Sequence, residues 1–205
     1  AEAFEDAIIN GQESGSIGGG ESTTGARALC DGLRKFCSAD IPNLTFAAGG
    51  AVTGAVVLGA RKAMGKWGMR PADTVIICGY KAYNDIVGIE EVETLDKQGA
   101  GASVFTGFAP KLYGMDVIPS ALMSDAVSAA EGVESGTPAD NDHGQALIVH
   151  KPSFVVGVRR NFTVETDRDI TTQSNQVVAS FRRDFKPLET VSATNTPVIH
   201  IRDIT

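Results

Sequence analysis

The chain has no run of about 18 apolar residues, so no stretch long enough to cross a membrane as a helix. Its three cysteines, Cys30, Cys37 and Cys78, form no CxxC pair. An odd count at such spacings points to reduced, buried thiols in a cytosol-like compartment rather than to a disulfide framework or a zinc site. The three histidines, His143, His150 and His200, make no HxxxH or HxxE pair and none lies near a cysteine in sequence. No G-x-S-x-G elbow is present to expose a nucleophilic serine, and no internal repeat is visible.

Two near-misses need a chemical argument. GSIGGGES (15–22) has the spacing of a phosphate-binding loop, but Glu21 stands where a lysine must neutralise phosphate, and the loop follows a helix rather than a strand. DNDH (140–143) offers oxygen atoms to a hard cation but lacks the twelve-residue calcium loop and its closing glutamate. It reads as a solvated turn, since Asp and Asn favour turns through local hydrogen bonds. Asp167 and Asp169 share a strand face at i, i+2, yet Arg168 lies between them and more arginines crowd the same segment, so pairing with cations is expected. No catalytic, cofactor or metal residues are assigned.

What is there is an ordinary globular composition: 205 residues, 42% hydrophobic and 21% charged, enough for a core without metal or disulfide. The net charge of −7 is uneven. Residues 1–150 hold ten basic and nineteen acidic side chains, and residues 151–205 hold eight and six. A non-specific grip on phosphate by the whole surface is excluded, and any nucleic-acid contact has to be local.

AEAFEDAIIN puts Phe4, Ala7 and Ile8 on one helical stripe with no N-cap before it, as though a longer helix precedes it. Residues 11–25 read as a Gly/Ser-rich loop. Helices are expected over 28–37, 53–68 (Thr53 as N-cap, Gly68 as stop) and 80–88. Strands are expected at Val75–Cys78, buried on both faces, at Val104–Phe108, at Met115–Ile118, over 145–150, over 154–158 and over 197–202. Residues 124–144 read as a polar surface loop. Between these, 160–167 and 176–185 alternate as two half-buried strands joined by ITTQSN (170–175), an antiparallel hairpin. Val177, Ala179, Phe181 and Phe185 face one way with Arg183 in their row. The outer face carries Arg159 or Arg160, Glu165, Asp167, Arg182 and Asp184. Exposed ion pairs add only about 0–1 kcal/mol each, so such a ribbon does little for a monomer, but mixed charge fixes register between partners. The pattern is α+β, helices and strands interleaved to residue 150 and strands dominant afterwards.

Four segments in order resemble the major capsid protein family of tailed bacteriophages, with its Hong-Kong-97-type fold: EDAIINGQESGS (5–16), DGLRKF (31–36), residues 70–119, and ALIVHKPSFVVGVRRNFTVETDRDITTQSNQVVASFRRDF (146–185). The resemblance implies a mixed α/β axial domain over 28–145. Residues 1–27 (the end of a spine helix and a Gly-rich loop) and 146–205 would form a β-rich peripheral domain with a long hairpin. The family's N-terminal arm and extended loop have no counterpart here, as in a truncated or proteolysed subunit. It implies a structural, non-enzymatic role in a virion or prophage capsid assembled in the bacterial host cytoplasm, without cofactor or membrane. Partners would be copies of itself in pentamers and hexamers, packaged DNA bound without sequence specificity, and scaffold, portal and decoration proteins. Arg159, Arg160, Glu165, Asp167, Arg168, Arg182, Arg183 and Asp184 are then expected at subunit contacts. The shell of an encapsulin-type nanocompartment, a small hydrolase and a local nucleic-acid binder are the alternatives.

Overall fold

The computed structural model describes residues 2–17, 21–37, 45–90, 109, 111–129, 132–169, 171 and 173–205. The expected strand Val104–Phe108, the centre of the Gly-rich loop (18–20) and parts of the hairpin link (170, 172) lie outside them. The strands are β1 (Thr45–Ala47), β2 (Thr74–Cys78), β3 (Lys111–Leu112), β4 (Met115–Pro119), β5 (Val127–Ser128), β6 (Asn141–His150), β7 (Phe154–Asp169), β8 (Ser174–Pro187) and β9 (Val198–Ile204). Seven form one mixed sheet in the order β1-β9-β6-β2-β4-β3, with β5 on β6. β7 and β8 form a separate antiparallel pair.

The central strands have apolar side chains on both faces because both faces are covered. Ile76, Cys78, Ile148, Ile199 and Ile201 pack under α3 (Gly54–Ala63) and α4 (Tyr80–Val87). Val75, Leu147, Val149 and Val198 pack under α1 (Glu2–Asn10) and α2 (Leu33–Phe36). Continuous runs such as TVIIC and ALIV are what such a sandwiched sheet requires. Thr53 caps α3 as expected, its side chain accepting from the Val56 N–H at 3.4 Å.

Several expectations need correction. Residues 124–144 are not one polar loop: β5 lies within them, and β6 begins at Asn141. DNDH is therefore not a free turn. His143 sits with Nδ1 2.5 Å from Asp142 Oδ1 and Nε2 3.3 Å from Asp203 Oδ1, tying β6 to β9. The helix expected over 28–37 shrinks to four residues because Gly11 and Gly32 cross in direct backbone contact, the Gly32 N–H donating to the Gly11 carbonyl at 2.9 Å. Among the described strands, β6 and β9 complete the main sheet, and β7 and β8 lie outside it.

One buried polar centre joins the first 34 residues to the sheet. Arg34, 2% exposed, donates to Glu21 Oε1 at 2.6 Å, to Asn10 Oδ1 at 3.0 Å and to the Gly132 carbonyl at 3.1 Å. Glu21 also accepts from Arg27 at 3.0 Å, from Gln12 at 3.3 Å and from the Glu134 N–H at 3.2 Å. Burial alone pushes the Glu21 carboxyl up. The charge and hydrogen bond of Arg34, the Glu134 N–H and Arg27 outweigh it and hold it below the usual range. Nearby, His200 Nε2 donates to Gln145 Oε1 at 3.0 Å. Its pKa falls to about 3 through burial first and then the charges of Arg34 and Arg202, so it is neutral in the fold.

Three outcomes follow from this packing. A Cβ at Gly11 overlaps the carbonyls of Ala7 and Cys30. Gly11→Ala should therefore cost about 3 kcal/mol in urea unfolding. Arg34→Leu leaves the Glu21 charge buried and should cost about 3–5 kcal/mol, well above Arg27→Leu, whose side chain is partly exposed. Because the unfolded chain protonates His200 first, stability should fall as pH drops below about 6.5, by up to about 1.4 kcal/mol per pH unit. The depressed Glu21 pKa extends the loss below about pH 4.5. Melting temperatures from pH 7.5 to 4 should show the slope, and His200→Asn should remove most of its upper part, the remainder coming from His150, whose burial also lowers its pKa.

Candidate assembly surface

Among the described residues, the β7–β8 hairpin is the large feature that the core explains only at its base. There Phe154 and Phe185 stack at 5.5 Å between centroids and meet Phe36 at 6.1 and 6.3 Å. Beyond that cluster the strands are exposed on both faces. The expected half-burial is wrong because no other element of the described chain lies over them. Val158 is 52% exposed, Val164 53%, Val177 65% and Phe181 44%.

Register decides which side chains share a face. Residues directly opposite point the same way, and β8 alternates without interruption. Val177, Ala179, Phe181, Arg183 and Phe185 form one row, joined by Val164, Val158 and Val156 from β7. This is the apolar face, continuous with the core at Phe185. The other row holds Gln176, Val178, Ser180, Arg182 and Asp184, opposite Asp167, Glu165, Thr163, Arg160 and Gly157. This is the charged face.

The structure therefore brings Arg160, Glu165, Asp167, Arg182 and Asp184 onto one surface. It puts Arg183 and Arg168 on the other. Two register shifts in β7, one between Val158 and Arg160 and one between Arg160 and Thr163, settle the choice between the neighbouring arginines. Arg160 lies across from Arg182, and Arg159 is the extra residue of the first shift.

Few of these charges are satisfied within the chain. Arg160 reaches Ser180 Oγ at 3.3 Å, and Asp184 pairs with Lys186 at 3.3 Å. Arg183 lies 5.7 Å from the Phe4 ring of α1. Among the described residues, Arg159, Arg182, Glu165 and Arg168 have no ion-pair partner. Phe4, Glu13, Leu29, Val158, Phe181 and Arg183 line an open groove of about 830 Å³ where the hairpin leaves the body.

The thiols offer little chemistry. All three cysteines are free and buried. Burial, helped by nearby carboxylates, raises Cys30 to about 11 and Cys78 to about 12, and burial raises Cys37 still further. Thiols held this high carry almost no nucleophilic thiolate at neutral pH. Among the described residues no group of three or more His, Cys, Asp or Glu side chains is arranged to hold a metal ion. The sequence reading missed the Arg34–Glu21 centre. Its one signal was an acid in an otherwise phosphate-like glycine loop, which a buried arginine explains.

No family model matches the chain. The major capsid protein of Escherichia phage T5 is 26% identical over 117 residues, which is 57% of this chain and 23% of that protein. The chain thus spans about a quarter of the length of this curated relative. Among solved structures, the mature capsid of bacteriophage PhiM1 superposes on 78% of this chain and 51% of its own, with a TM-score of 0.53 and 9% identity. The capsid of an empty GTA particle superposes on 100% of this chain and 62% of its own, with a TM-score of 0.53 and 12% identity. Identities this low speak to architecture, and in architecture this α+β chain has the Hong-Kong-97-type capsid fold of tailed bacteriophages.

Proposed function

We propose that this chain is a structural subunit of an icosahedral tailed-phage or prophage capsid enclosing double-stranded DNA, and that the hairpin is where it meets its neighbours. The observation that carries the reading is a capsid fold from which an uncovered ribbon extends, apolar on one face and charged on the other. Exposed apolar area of this extent is a hazard for a lone chain, and a neighbouring subunit removes it. In this reading the main sheet, with β6 and β9, is the axial body. α1, the loop after it and the β7–β8 hairpin are the peripheral part. Arg159, Arg160, Glu165, Asp167, Arg168, Arg182, Arg183 and Asp184 make the contacts.

The role is structural rather than enzymatic, and the site of action is the virion shell, assembled in the bacterial cytoplasm. The T5 relative favours a virion over an encapsulin-type compartment. With a net charge of −7, the subunit holds packaged DNA by confinement more than by attraction. Scaffold, portal and decoration proteins are the further partners of such a shell.

The test is assembly. Expressed in a bacterial host, the protein should give closed particles in negative-stain electron micrographs. Arg182→Glu combined with Arg183→Glu should leave the melting temperature within a few degrees, since the Arg183–Phe4 contact contributes only about 0.5–1 kcal/mol. It should abolish the particles. Particles of normal size and yield from that variant would overturn the hairpin's role.

A further inference from the structure

The charged face is not randomly mixed. Its centre is the pair Thr163/Ser180, whose hydroxyls are 2.9 Å apart. On the side toward the body the next pair is Arg160/Arg182, both positive. On the side toward the tip come Glu165/Val178 and then Asp167/Gln176, both negative. Asp184, one pair further in, is occupied by Lys186. The face is therefore a strip that changes sign about one point.

A strip of this kind complements itself in one orientation. Two copies stacked charged face to charged face, with strands antiparallel, are related by a two-fold axis that crosses the strands over Thr163/Ser180. β7 then lies over β7 and β8 over β8. Arg160 of each copy comes opposite Glu165 of the other, with Arg182 diagonal to the same carboxylate. A parallel stack sets like over like. We propose that the charged face of the hairpin pairs with the same face of a second copy across a two-fold axis at Thr163/Ser180, held by reciprocal Arg160–Glu165 ion pairs. The inference rests on the reading of the hairpin as a subunit contact and gives that contact a partner face and a register.

Magnitudes fit a shell contact better than a free dimer. From the Asp184 level to the Gln176 level is eight residues of β8, roughly 27 Å at 3.4 Å each, on a ribbon about 10 Å wide. The pair would bury on the order of 600 Å² in total, against the roughly 1,200–2,000 Å² of stable interfaces. Such a contact is weak alone and matters by repetition. The apolar face carries no such internal code, and nothing among the described residues says what covers it.

The experiment is disulfide trapping of the intact protein. Ser180 lies on the proposed axis, so Ser180→Cys should give disulfide-linked dimers under mild oxidation, read on non-reducing gels. Ala179→Cys, on the opposite face, should give few. The native thiols are buried and do not compete. Added to Ser180→Cys, Arg160→Glu or Glu165→Arg alone should slow trapping about tenfold, and the two together should restore it in part, because the swap recreates the pair with its signs exchanged while the unchanged Arg182 then lies diagonal to an arginine. Faster trapping through Ala179→Cys, or a double variant no better than either single one, overturns the proposal. Electron microscopy of the same preparations separates the two readings. Particles without Ser180→Cys trapping defeat the two-fold pairing and leave the capsid role standing. Trapping in a protein that never forms particles defeats the capsid role and leaves the pairing standing.

Discussion

A fully buried arginine is tolerable only where its charge is answered, and Arg34 is answered by Glu21 at 2.6 Å and by two uncharged oxygen atoms. This constraint organises the chain up to Arg34. It ties together α1 through Asn10, the glycine-rich loop through Glu21, α2 on which Arg34 sits, and the segment at Gly132–Glu134. These pieces are too short to fold by their own propensity. α2 is four residues long, and an isolated helix of that length does not form in water. The buried charges supply the register that local structure lacks, at a cost of desolvation that these partners offset in part, since Arg34 Nε is buried without a hydrogen bond. By holding α1 and α2 on the sheet, the same centre places Phe36 under Phe154 and Phe185, and so fixes the angle at which the hairpin departs.

Body and hairpin differ in how they are stabilised. In the body, two apolar layers sandwich a sheet, and each central strand is covered on both faces. Beyond its base, the hairpin has among the described residues little besides its own ladder and its cross-strand pairs, with large apolar side chains left in water. At roughly 25 cal/mol per Å² of apolar area removed from water, covering those side chains is a driving force still unspent in the single chain. A protein built to be repeated can keep that reserve for its interfaces.

Much of the body was legible in sequence. VIIC and ALIV read as doubly buried strands because nothing polar interrupts them, and Thr53 announced the start of α3. The hairpin was legible too, since QVVASFRRDF keeps period two even through its arginines. What escaped were features without a local signature. β1 is three residues long and exists because β9 offers it an edge. β6 runs back through Asn141, Asp142 and His143, residues with turn chemistry that the sheet overrides. Glu21 and Arg34 are thirteen positions apart on a loop and a helix, and no spacing rule links them. The half-burial assigned to the hairpin failed for another reason: alternation shows which face is apolar but not whether anything in the same chain covers it.

The two register shifts in β7 bear on why the ribbon has its charge pattern. Each extra residue inverts the phase of the strand relative to β8, and two of them restore it. Val156 and Val158 before the first, and Val164 and Thr166 after the second, therefore point the same way. Only the stretch between is inverted, and that stretch begins with Arg160. In an unbroken strand Arg160 would stand in the row of Val158 and Val164, on the apolar face. The inversion turns it across to Arg182 and beside Thr163, where it completes the positive half of the charged strip. Two irregularities that weaken the ladder locally together move Arg160 from the greasy side of the ribbon to the side where its charge has a counterpart to meet.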